Sequence, residues 1–138
     1  MDIEAHWILF DYVDGVTNPI EGWYEHTLTA ASRFQFDALL KNMVTTEDHQ
    51  HWSGFKYLKG DARTQRIWQV AFKALADRKQ YRIAGIFDGE KQAVLLAGYF
   101  HKQNIYTPPN ALDTAIKRAK ALREKRATRR ERKIKFDF

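Results

Sequence analysis

Arg82, His101 and Lys102 are the residues whose types and settings best suit chemistry in this chain. Arg82 lies in Tyr81-Arg82-Ile83-Ala84, where alternating apolar positions predict a strand and the small Ala84 leaves space beside the guanidinium. His101 and Lys102 close the apolar run of residues 92–100, with Tyr99 just before them and Tyr106 just after. Lys56 and Lys59 precede the sheet, Arg63 and Arg66 lead into the segment holding Trp68, and Lys73 ends that segment. Lys117 and Arg118 open a stretch, residues 117–135, that holds 11 Lys or Arg. The set is coherent for RNA. Arg and Lys neutralise phosphate, Arg with a two-pronged fork. Phenol and imidazole rings can stack on unpaired bases. A cation beside a scissile phosphate also stabilises the charge that builds up in the transition state. With the RNA's own 2′-hydroxyl as nucleophile, neither a metal nor a protein nucleophile is required. His101 can then move the proton, since an ordinary imidazole titrates near neutrality.

Other chemistries find less support. His49 and His51 flank Gln50 beside Glu47 and Asp48, but that spacing fits no helical zinc signature and reads as a solvated loop. The basic half has no clustered carboxylates, Lys59-Gly60 is not a phosphate loop, and Ser32 and Ser53 lack the flanking glycines of a nucleophile elbow. No metal and no cofactor are expected. The absence of cysteine excludes disulfides and thiolate sites and suits a reducing compartment. Met1-Asp2-Ile3-Glu4 lacks the pattern of a secretory signal, and no run approaches the ~18 apolar residues of a membrane span. The expectation is a cytoplasmic protein with no membrane partner.

A scaffold for these residues is also legible. The 138 residues fit one domain. The net charge of +6 is uneven: residues 1–55 carry nine acidic and two basic side chains, residues 56–138 eight acidic and 21 basic. Partners of opposite sign at different faces follow from such asymmetry. His6 to Tyr12 reads as a buried strand closed by Asp14-Gly15. Asn18-Pro19 caps a helix whose stripe runs from Ile20 to Ala31, and a second helix is predicted from Ser32, with Gln35 completing a capping box. Trp68, Val70 and Phe72 alternate, as do Tyr81, Ile83, Gly85 and Phe87, and Asp88-Gly89 signals a hairpin into the strand of residues 92–100. Thr107-Pro108-Pro109 stops the sheet, and Thr107 or Asn110 is placed to cap a last helix through Leu122. Trp7 and Trp68 are expected in the core. The fold class is therefore α+β: a strand, a helical pair, a three-stranded antiparallel meander forming a curved sheet, and a basic C-terminal helix. Residues 123–138 read as a basic extension in which Ile134, Phe136 and Phe138 alternate.

Taken in order, these segments resemble the RelE/ParE toxin superfamily of type II toxin–antitoxin systems, and within it the phage-related, HigB-like branch. The likeness rests on Tyr57-Leu58-Lys59-Gly60, the Ile67 to Ala74 strand, Gln80-Tyr81-Arg82-Ile83, the Phe87-Asp88-Gly89 turn, Leu95 to Lys102, the Thr107-Pro108 break and Ala115-Ile116-Lys117-Arg118. It is specific over residues 57–118, loose before them, and does not cover the tail after Leu122. It implies a toxin domain over residues 1–122, a curved antiparallel sheet with a helical pair on one side, and metal-independent cleavage of mRNA on the ribosome, blocked by a cognate antitoxin. By position, Arg82 matches the arginine that contacts the scissile phosphate, His101 and Lys102 the basic positions ending the last strand, Lys59 the basic turn residue, and Tyr106 a late tyrosine. One departure stands out: Ala71 occupies a strand position where relatives often carry arginine, a loss for which Lys73 or Arg66 could compensate. Because the superfamily also contains gyrase poisons, the alternatives are gyrase poisoning or an inactive nucleic-acid or partner binder.

Overall fold

The computed structural model describes residues 4–102 and 105–134. Its centre is β5 (Gln92–Lys102), the most apolar segment, flanked by β4 (Lys79–Phe87) and β1 (Ile8–Val13). β3 (Trp68–Ala74) and the two-residue β2 (Lys56–Tyr57) extend the sheet beyond β4, while β7 (Thr128–Glu131) extends it beyond β1. β6 (Ile105–Thr107) pairs with the end of β5. The expected meander is present as β3-β4-β5, all antiparallel, whereas β1 lies parallel to β5 with Ile8 opposite Gln92. The described residues thus form a seven-stranded sheet with α-helices in an α+β arrangement.

Alternation along the strands divides the core in two. On one face, Leu9, Val70, Tyr81, Ile83 and Leu95 pack under α1 (Pro19–His26) and α2 (Ala30–Thr45). Trp68 (on β3) and Trp7 are buried in the same cluster. Gly98 lets α1 lie close, because a Cβ there would run into the indole of Trp23. On the other face, Ala84, Ile86, Val94 and Leu96 meet α3 (Asp61–Thr64) and α4 (Ala111–Arg123). α4 contributes Ala111, Ala115 and Ala119, side chains small enough to seat a helix directly on the pleat. The β4–β5 register shifts between Ala84 and Gly85, so β5 carries one extra residue there. Such bulges sharpen the local twist and re-aim side chains. This one lies two residues from Arg82.

Several boundaries differ from the sequence expectation. The helical stripe breaks after His26, and Thr29 rather than a residue near Ser32 caps α2, its hydroxyl accepting the Ser32 N–H at 3.1 Å. Asn18 does cap α1, accepting the Glu21 N–H at 3.0 Å. Asn110 precedes α4 without a side-chain cap bond. Downstream of Leu122 the chain turns through Lys125 (φ 59°) and returns to the sheet, where Arg130 lies opposite Asp11. Arg132 then donates to Asp11 (2.8 Å) and Glu21 (2.9 Å) and places its guanidinium over Tyr24 and Phe36. Phe136 and Phe138 lie outside the described residues.

Candidate nucleic-acid interface

β3, β4 and β5 each send every second side chain to the face that carries α4. The register sets these side chains in transverse rows. One row runs Lys73, Gln80, His101, Tyr106; the next runs Ala71, Arg82, Tyr99; a third runs Lys56, Gln69, Ala84, Ala97. Diagonal neighbours on such a face lie about 7–8 Å apart, within reach of long side chains. Arg82, His101, Lys73 and Lys56 therefore share one patch of sheet.

The imidazole of His101 stacks on Tyr106 with centroids 4.2 Å apart and planes at 28°. Tyr106 in turn stands edge-on to Tyr99 at 5.3 Å. Tyr99 is fully buried, and its hydroxyl donates to Gln69 Oε1 at 3.1 Å. Burial pushes that hydroxyl far up, Tyr106 adds to the effect, and Arg82 opposes it. The expectation that Tyr99 stacks on a base is corrected here: its ring is a buried support for Tyr106 and His101. Burial, then the positive charges of Arg82 and Lys56, hold His101 below the usual histidine range. An imidazole so placed is neutral near pH 7 and can accept a proton.

Arg82 is half-buried and, among the described residues, has no ion-pair partner. Its Nε is buried without a hydrogen-bond partner, and its Nη2 reaches Gln80 Oε1 only at 3.5 Å. A buried donor left unmade costs about 1–3 kcal/mol, more when it is charged. The site thus holds a guanidinium with an unpaired buried Nε on the same face as two further cations, an arrangement that an anion would relieve.

Ala71 has a local reason. Its N–H donates to the Ser53 carbonyl at 2.9 Å, and Ser53 Oγ donates to the Ala71 carbonyl at 2.8 Å. That turn brings Gly54 so close that a Cβ on it would lie 2.8 Å from the Cβ of Ala71. The cation missing at this position has neighbours in Lys56, which follows the same turn on β2, and in Lys73, two residues along β3. Lys56, named in the sequence among the cations ahead of the sheet, joins this face by pairing with Gln69.

The remaining expected residues divide. Lys59 and Arg63 are exposed around α3, and Lys117 is exposed on α4. Arg66 (φ 58°) does not compensate for Ala71, since it lines a cleft at the opposite end of β4 with Ile86 and Phe87. Arg118 is corrected to a structural role: Nη1 donates to the Leu96 carbonyl at 2.7 Å and the guanidinium lies over Tyr12. Lys102 closes β5 opposite Ile105, and its side chain lies outside the described residues. His49 packs edge-on against Phe55 and Phe87, with centroids 4.9 and 4.8 Å away. Among the described residues no group of three His, Cys, Asp or Glu side chains is arranged to hold a metal, and no helix is long and apolar enough to cross a membrane.

No model of a known protein family, no curated protein and no solved structure matches this chain.

Proposed function

We propose that the chain is a HigB-like toxin of the RelE/ParE superfamily, an endoribonuclease that cleaves mRNA on the ribosome and is held inactive by a cognate antitoxin. The observation that carries this reading is the shared patch of Arg82, His101, Lys56 and Lys73 on one sheet face, with the buried Arg82 Nε unpaired. In the proposed reaction the RNA 2′-hydroxyl attacks the adjacent phosphorus and the bond to the 5′-oxygen breaks, leaving a 2′,3′-cyclic phosphate. His101, neutral at the outset, takes the 2′-hydroxyl proton, and the departing 5′-oxygen takes one from solvent. Arg82 binds the phosphoryl oxygens as their charge grows. Lys56, Lys73 and Lys59 hold flanking phosphates, and Lys102 is assigned to the same role by its position ending β5. The exposed cations of α3 and α4 supply salt-sensitive contact with ribosomal RNA.

Induced expression with mapping of mRNA ends tests the reading. Codon-phased cuts that disappear in Arg82→Ala are expected. Growth arrest with intact mRNA and broken DNA would favour gyrase poisoning, and absence of any toxicity would favour an inert binder.

A further inference from the structure

We infer that a second subsite, for one unpaired nucleotide, lies in the cleft at the β2 end of the sheet. This inference rests on the reading of the chain as an RNA-binding protein. The cleft has a volume of about 470 Å³ and lies between Tyr57, Arg66, the β4–β5 turn and the last turn of α4. Ligand-sized sites typically measure about 300–1,000 Å³. Its floor is apolar, from Ile86 and Leu122, and its rims carry the guanidiniums of Arg66 and Arg123. The lining carboxylate of Asp88 is already paired with Arg129 at 3.2 Å, so the cleft is left net cationic. Arg123 Nη2 is anchored on the Gln65 carbonyl, which fixes one guanidinium nitrogen and leaves the other N–H donors for a ligand.

Tyr57 supplies the aromatic surface. It is 47% exposed, while its neighbour Phe55 braces it edge-on at 5.4 Å. A braced, accessible ring over an apolar floor, flanked by two arginines, matches what an unpaired base and its phosphate require. Ile86 lies four residues from Arg82 along β4, about 13 Å at strand spacing. Lys59 and Arg63 are exposed on the connection that leads from β2 to Arg66. A short single strand bound at Arg82 would follow these cations and place a base against Tyr57.

The test is binding of fluorescein-labelled oligouridylate, six nucleotides long, read by anisotropy for the full chain and for Tyr57→Ala, Tyr57→Phe, Arg66→Gln, Arg123→Gln and Arg82→Ala. Thermal melts confirm that each variant is folded. Tyr57→Ala should weaken binding about tenfold, Tyr57→Phe should restore it, and each arginine change should weaken it several-fold. Unchanged affinity in Tyr57→Ala together with weakening in Arg82→Ala would overturn the subsite and leave the RNA reading standing. Failure of the wild-type chain to bind the oligonucleotide would overturn both.

Discussion

Arg82 and His101 are coupled through charge, and that coupling has a sign. Burial, Arg82 and Lys56 all lower the His101 pKa below its ordinary 6.5. If His101 is the base, the acid limb of cleavage should bend below pH 6.5. NMR titration of the imidazole in Lys56→Gln should give a higher midpoint than wild type, because one source of positive charge is gone. A midpoint unmoved by that substitution would separate Lys56 from the site. Arg82→Ala should lower the cleavage rate about 10²–10³-fold, and Arg82→Lys should recover little, since an ammonium keeps the charge but loses the planar fork. Single-turnover rates on ribosome-bound mRNA check both. At this scale the sequence was informative where alternation alone decides which way a side chain points, as for Arg82. It could not show that Tyr99 is buried or that Arg118 is spent on a backbone carbonyl. Both facts depend on where α4 lands, a long-range choice. Lys56 was among the cations the sequence offered, but its strand has only two residues, and its charge reaches His101 only because that strand pairs with Gln69 on the same face.

Among the elements, β7 contributes most that was unforeseen. Thr128-Arg129-Arg130-Glu131 has no apolar alternation, so nothing in it announces a strand. It works as an edge strand by laying charged side chains over aromatic rings, with the Arg129 guanidinium 4.0 Å from the Phe10 centroid. Its continuation seats Arg132 against Asp11, both side chains less than a tenth exposed. Burial works against the charge of Arg132, but Asp11 and Glu21 more than offset it and raise its pKa. Burial pushes the Asp11 carboxyl up despite Arg132. The two substitutions should therefore differ. Arg132→Ala strands Asp11 and should cost about 3–5 kcal/mol in urea unfolding. Asp11→Asn should cost less, since Glu21 still pairs with Arg132. Because the native state holds the Asp11 proton to a higher pH than the unfolded chain, its contribution to stability falls as pH rises from 3.8 through its native pKa. The β3-β4-β5 meander, by contrast, was legible from the alternation of its large residues, the Asp88-Gly89 turn and the continuous apolar run of β5. α1 packs on that meander through Gly98, and Gly98→Ala should cost about 1–3 kcal/mol by overpacking against Trp23.

For the molecule as a whole, the charge asymmetry of the sequence does not become two separate halves. Basic Arg132 is buried against acidic Asp11 and Glu21, joining the C-terminal segment to the acidic first half. Truncation after Leu122 removes β7 and uncovers the edge of β1. Such a chain should lose its cooperative thermal transition, a consequence that calorimetry can read. The exposed cations around the candidate site should give RNA binding a steep salt dependence. Lys56→Gln should reduce the slope of log affinity against log salt by about 1. The most direct measurement of the central claim uses purified protein, programmed ribosomes and two messages, one all-ribose and one carrying a 2′-deoxy nucleotide at the cleaved position. The expected result is cutting of the ribose message to a 2′,3′-cyclic end by wild type, with neither Arg82→Ala on that message nor wild type on the deoxy message giving product. Equal cutting of both messages, or undiminished cutting by Arg82→Ala, would contradict it.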